Sequence, residues 1–62
     1  MAGLKQSNID KAKAAAFAAA LEQYDVEIDL RTDLQLIGNE LWVYIPIEGG
    51  GKRLTDVGVV VK

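Results

Sequence analysis

Sixty-two residues allow one small domain, and a chain this short hides only about 60% of its unfolded surface on folding. Cysteine and histidine are both absent, which excludes disulfides, thiolate nucleophiles, imidazole acid–base chemistry and zinc sites of the usual ligand types. The net charge of −2 is unevenly spread, with a basic start, a strongly acidic middle and a basic close.

Residues 1–20 hold Lys5, Lys11 and Lys13 against Asp10. The AAAFAAAL run there is mostly alanine and leads straight into the domain, so it does not read as a secretory signal. No apolar run approaches the ~20 residues needed to span a bilayer. A cytoplasmic location with no membrane partner is expected.

Ser7 or Asn8 is the expected helix cap, and Asp10 follows in the first turn, where a carboxylate suits the helix dipole. The alanine-rich composition predicts a helix over about residues 8–23. At 100° per residue, Phe17, Leu21, Ala14, Ala20 and Tyr24 fall on one side, with Lys11 and Glu22 nearly opposite. So much alanine suits close packing on a sheet. A second arrangement uses Ala12, Ala16 and Ala19 as a small-residue face for another helix.

Beyond the helix the apolar pattern becomes alternating. Val26, Ile28, Leu30, Leu34 and Leu36 are even-numbered, while the odd positions from 25 to 35 read Asp, Glu, Asp, Arg, Asp, Gln. Gly38-Asn39 predicts a two-residue hairpin turn, which pairs Ile37 with Glu40, Leu36 with Leu41, Gln35 with Trp42 and Leu34 with Val43. Pro46 then falls opposite Arg31 at a position that needs an N–H, so the ladder fails near Arg31-Thr32-Asp33. Two arrangements follow: one long strand over residues 25–37, bent or bulged there, or a three-residue turn that makes residues 25–30 a separate strand. Further strands are predicted over residues 40–47 and 54–61, joined by the glycine-rich loop EGGGKR, with Val57, Val59 and Val61 inward and Val60 outward.

Three segments invite a functional reading. EGGGKRLT looks like a phosphate loop but has Pro46 where the motif needs glycine and Arg53 where it needs Ser or Thr. Asp25, Glu27, Asp29 and Asp33 would make an acidic stripe on one strand face, suited to a basic protein surface. Carboxylates exposed to water have nothing to raise a pKa for general-acid work.

The third segment, Gly38-Asn39-Glu40-Leu41-Trp42-Val43-Tyr44-Ile45-Pro46, resembles the G-N-x-L-x-V-x-I-P run of the AbrB/MazE-type swapped-hairpin DNA-binding domains. The resemblance implies a hairpin and, in that family, DNA binding. It covers nine residues, Tyr44 stands where the family carries arginine, and a glycine loop replaces its short helix. The acidic middle argues against a nucleic-acid partner, because binding phosphates draws on clustered Lys and Arg.

The expected fold is α+β over residues 1–62, with one N-terminal helix packed on a three- or four-stranded antiparallel β-meander. Its expected core is Phe17, Leu21, Val26, Ile28, Leu34, Leu36, Leu41, Val43, Ile45, Val57 and Val59. No catalytic, metal or cofactor residues are expected. The expected function is a non-enzymatic protein-interaction module that works as a homo-oligomer, most simply a homodimer, with Ile37, Trp42, Tyr44 and Val60 clustered on the uncovered sheet face as its interface. The alternative at that position is Trp42 merely shielding its own hairpin over Gln35. The alternative function is a small acidic inhibitor or nucleic-acid mimic, of phage or plasmid type, whose stripe from Asp25 to Asp33 blocks a basic site on a host target.

Overall fold

In the computed structural model, which describes residues 5–62, the elements are α1 (Gln6–Tyr24), β1 (Leu34–Ile37), β2 (Glu40–Pro46) and β3 (Lys52–Val60). The strands form one antiparallel sheet in the order β1-β2-β3, and α1 packs on β2 and β3. The fold is α+β: one helix against a three-stranded meander.

α1 starts two residues before the expected position. Lys5 is its N-cap and makes no side-chain bond there; its carbonyl accepts the N–H groups of Asn8 at 3.1 Å and Ile9 at 3.0 Å. Ser7 and Asn8 therefore lie inside the helix rather than capping it. The Asn8 amide is committed elsewhere and donates to the carbonyl of Lys62, tying the first turn of α1 to the residues just past β3. The helix stops where Asp25 turns left-handed (φ 56°) and returns its N–H to the Leu21 carbonyl at 2.9 Å.

The face of α1 that meets the sheet is Ala12, Ala16 and Ala20, at 6%, 0% and 0% exposure. Residues four apart share one side of a helix, and their small side chains allow the helix axis close to the strands. Ile9, Phe17 and Ala19 pack half-buried beside them. Leu21, expected in the core, is 43% exposed because five residues of rotation past Ala16 carry it far around the axis from this stripe. Leu36 is also outside the core, since it lies on β1, beyond the strands that α1 covers. The remaining buried core is Ile28, Leu41, Val43, Ile45, Val57 and Val61, with Val26, Leu34 and Val59 half-buried against it.

The expected strand over residues 25–33 does not form, either as part of a long strand or as a separate one. Its side chains bond to its own backbone instead. Asp29 Oδ1 accepts the Arg31 N–H at 2.9 Å, Asp33 Oδ2 accepts the Asp29 N–H at 3.1 Å, and the Asp29 carbonyl accepts the N–H groups of Thr32 and Asp33. Such local bonds give a short segment a turn in place of a ladder. The chain still drops Ile28 into the core on its way from α1 to β1.

β1 and β2 pair in the expected register, Ile37 with Glu40 through Leu34 with Val43. Among the two turn residues only Gly38 has positive φ (62°), the pattern of a type II′ turn, which glycine at its first position adopts without strain. One further rung forms, from the Tyr44 N–H to the Asp33 carbonyl at 2.8 Å. Pro46 has no N–H for the next one, and the ladder ends there.

β2 and β3 pair from Pro46–Lys52 to Trp42–Asp56, so β3 begins two residues earlier than expected. Between Asp56 and Val59 the register slips, and Val57 and Gly58 form a bulge. Gly58 takes φ 78°, and its N–H closes on Asp56 Oδ1 at 2.8 Å. Two inserted residues leave the parity unchanged. Val57, Val59 and Val61 thus remain on the side of α1, and Val60 on the other.

Candidate interaction surface

Because side chains alternate along each strand, the register lays out the sheet face turned away from α1 row by row. Ile37, Glu40 and Val60 form the first row; Gln35, Trp42 and Asp56 form the second. Tyr44 and Leu54 form the third, and Pro46 with Lys52 the fourth. Ile37 and Val60 are each 43% exposed, while Trp42, Tyr44 and Leu54 are half-buried by their neighbours.

Trp42 holds the centre of this face, on the middle strand, flanked by Gln35 on β1 and Asp56 on β3. Its indole Nε1 is out of solvent and finds no acceptor among the described residues. Asp56, its nearest cross-strand carboxylate by register, has one oxygen engaged by Gly58. A buried donor left unpaired costs about 1–3 kcal/mol, and this indole N–H, having no exposed surface, meets an acceptor only if the side chains around it move. Leu54, not singled out from sequence, joins the face through the β2–β3 register. Its even number sets it opposite in parity to Val57 and Val59, which was the available signal.

The four acidic residues do not line up at strand spacing. Asp25 caps α1 and Glu27 is exposed on the connecting segment. Asp29 sits 3.7 Å from Arg31 Nε, and Asp33 accepts Lys52 Nζ at 2.8 Å with its side chain only 13% exposed. The Lys52 bond, followed by the Asp29 N–H, holds the Asp33 carboxyl below the usual carboxylate range. Two of the four are therefore committed to partners within the chain. Among the described residues, no group of three or more carboxylates is placed to hold a metal ion.

Two shallow cavities flank β3. One of about 270 Å3 lies between α1 and the end of the strand, lined by Asn8, Lys11, Ala12, Ala15, Val59 and Lys62 among others. The second, about 430 Å3, runs along the first half of β3 and draws on Tyr24, Trp42, Ile45, Ile47 and Leu54. Among the described residues, no helix is long and apolar enough to cross a membrane. Comparison with protein-family models, curated proteins and solved structures found no match.

Proposed function

We propose that the chain is a non-enzymatic protein-interaction module whose partner is a second copy of itself, docked on the sheet face opposite α1. The observation that carries this reading is the position of Trp42. A large, half-buried aromatic stands on the middle strand, at the centre of the sheet face turned away from α1. Tyr44 and Leu54 adjoin it, and Ile37 and Val60 extend the apolar surface to the hairpin end.

Three physical arguments favour a second copy. A chain of 62 residues without cysteine has a small core, and a second buried layer is the aid to stability that its composition leaves open. Sheet-on-sheet packing buries such faces about 10 Å apart, with the helices outside. The charges at the two ends of the face are opposite, Glu40 in the first row and Lys52 in the fourth, so a two-fold contact with antiparallel strands brings unlike charges together.

Light scattering after size exclusion tests the reading. The expected mass is twice the 6.7 kDa of the chain, or a higher multiple. Trp42→Ala combined with Tyr44→Ala is expected to shift it toward monomer. A parent protein still monomeric at about 100 µM, where even a ~10 µM dimer is well populated, overturns the proposal.

A further inference from the structure

The free edge of β3 carries a self-complementary five-residue stretch, three of whose side chains (Lys52, Leu54 and Asp56) also lie on the sheet face just described. In an antiparallel ladder, successive residues turn their N–H and C=O groups alternately toward and away from the neighbouring strand. The bonds from the Ile47 N–H to the Gly51 carbonyl and from the Val61 N–H to the Asn39 carbonyl set this phase at both ends of β3. With the pairs Ile45–Arg53 and Val43–Thr55, Arg53 and Thr55 turn their backbone groups toward β2. The backbone groups of Lys52, Leu54 and Asp56 therefore point out along the open edge, since β3 ends the strand order.

We propose that Lys52–Asp56 of one copy pairs edge to edge with Lys52–Asp56 of a second, antiparallel about a two-fold axis at Leu54, joining two three-stranded sheets into one. The outward backbone groups meet in phase. Leu54 faces Leu54, and Lys52 of each copy faces Asp56 of the other, which puts opposite charges at directly paired positions on one face. On the other face Arg53 of each copy meets Thr55, so no like charges oppose. Lys52 is 49% exposed while bound to Asp33, and Asp56 has one oxygen free of its Gly58 bond, so both can reach across.

The same geometry sets where pairing stops. Beyond Asp56 the bulge breaks the regular edge, and the Gly58 N–H is already occupied by Asp56 Oδ1. Bulges of this kind blunt an edge against indefinite strand addition, and here the blunt half leaves one short segment open. The cavity of about 430 Å3 lies along that same segment, lined in part by Leu54 and Asp56, where an added strand would cover it. This edge contact uses Lys52, Leu54 and Asp56, whose side chains also lie on the outer face, but it does not use Trp42 or Tyr44, so a variant at those two residues separates the two contacts.

Amide hydrogen exchange followed residue by residue at about 10 µM and about 1 mM protein is the test. The Lys52, Leu54 and Asp56 amides are expected to exchange at nearly unprotected rates at the low concentration and at least tenfold more slowly at the high one. Leu54→Pro removes an outward N–H that makes no bond within the sheet, together with the leucine side chain at the proposed axis, a change an edge strand tolerates, and is expected to abolish the concentration-dependent protection at Lys52 and Asp56. Should that variant not fold, the exchange of the parent protein decides alone. Fast exchange at both concentrations overturns the proposal, as does protection that appears only when an unrelated extended peptide is added. If these amides stay unprotected while Trp42→Ala with Tyr44→Ala dissolves a dimer, the edge contact is refuted and the face contact survives. Protection that persists in that double variant supports the edge contact independently of the face.

Discussion

At Asp33 the backbone and side chain serve different neighbours. Its carbonyl closes the last rung to Tyr44, while its two carboxylate oxygens accept Lys52 Nζ and the Asp29 N–H. Both side-chain bonds favour the charged form, which is why the carboxyl titrates below its usual range. The sign of the consequence follows by linkage. A carboxylate with a lowered folded pKa contributes stability that is present above its unfolded pKa and lost as pH falls through the folded value. The affected window therefore lies at about pH 4 and below. Asp33→Asn is expected to lower the urea midpoint at neutral pH and to flatten the acid limb of a midpoint-against-pH curve. A constant offset between the two curves at every pH would contradict this assignment.

At the scale of elements, α1 shows why close packing and hydrophobic bulk need separate treatment. Ala16 is fully buried against the sheet, and Leu21 is 43% exposed, although leucine carries the larger apolar side chain. Ala16→Leu is expected to cost about 1–3 kcal/mol by forcing the helix off the strands. Leu21→Ala is expected to cost less than about 1 kcal/mol, because it opens no cavity. Chemical denaturation ranks the two, and the reverse order would place the helix in the wrong rotation. Alanine spread around the whole axis left that rotation illegible in the sequence, since either side of α1 looked apolar enough to be buried. The hairpin was legible because two independent signals agreed: Gly38-Asn39 chose the turn, and the inward sets on both strands met in the register it imposed. Residues 25–33 alternate, with Thr32 alone breaking the apolar set, and yet form no strand, since periodicity carries no record of aspartates bonding to the backbone around them. Trp42, Tyr44 and Leu54 were all readable as outward-facing from parity, whereas which residue of β3 lies opposite each residue of β2 needed the β2–β3 register, which the bulge hides from a sequence count.

For the molecule as a whole, charge placement bears on what it can bind. The bond from Asn8 to the Lys62 carbonyl brings the basic start and the basic close of the chain to one end, where Lys11 and Lys62 line the same groove. Two such lysines neutralise about as many phosphates, and each phosphate contact contributes only weakly at physiological salt. The net charge of −2 opposes approach to a polyanion. No complex with duplex DNA or RNA tighter than about 100 µM is expected at physiological salt. Fluorescence anisotropy with a labelled duplex measures this, and a salt-sensitive sub-micromolar complex would refute it.

The joining of α1 to the far end of the sheet also bears on the order in which native contacts can form. The buried stripe of α1 is alanine, and alone in water such a helix is marginal. Its packing partners are β2 and β3, and its bond from Asn8 to the Lys62 carbonyl joins groups 54 residues apart. The hairpin of β1 and β2 closes through a two-residue turn, whereas α1 has no finished surface to settle on until β3 has paired with β2. Local pairing is thus expected to precede the long-range docking of α1, and a chain whose β3 has come away presents an unprotected helix and an open sheet.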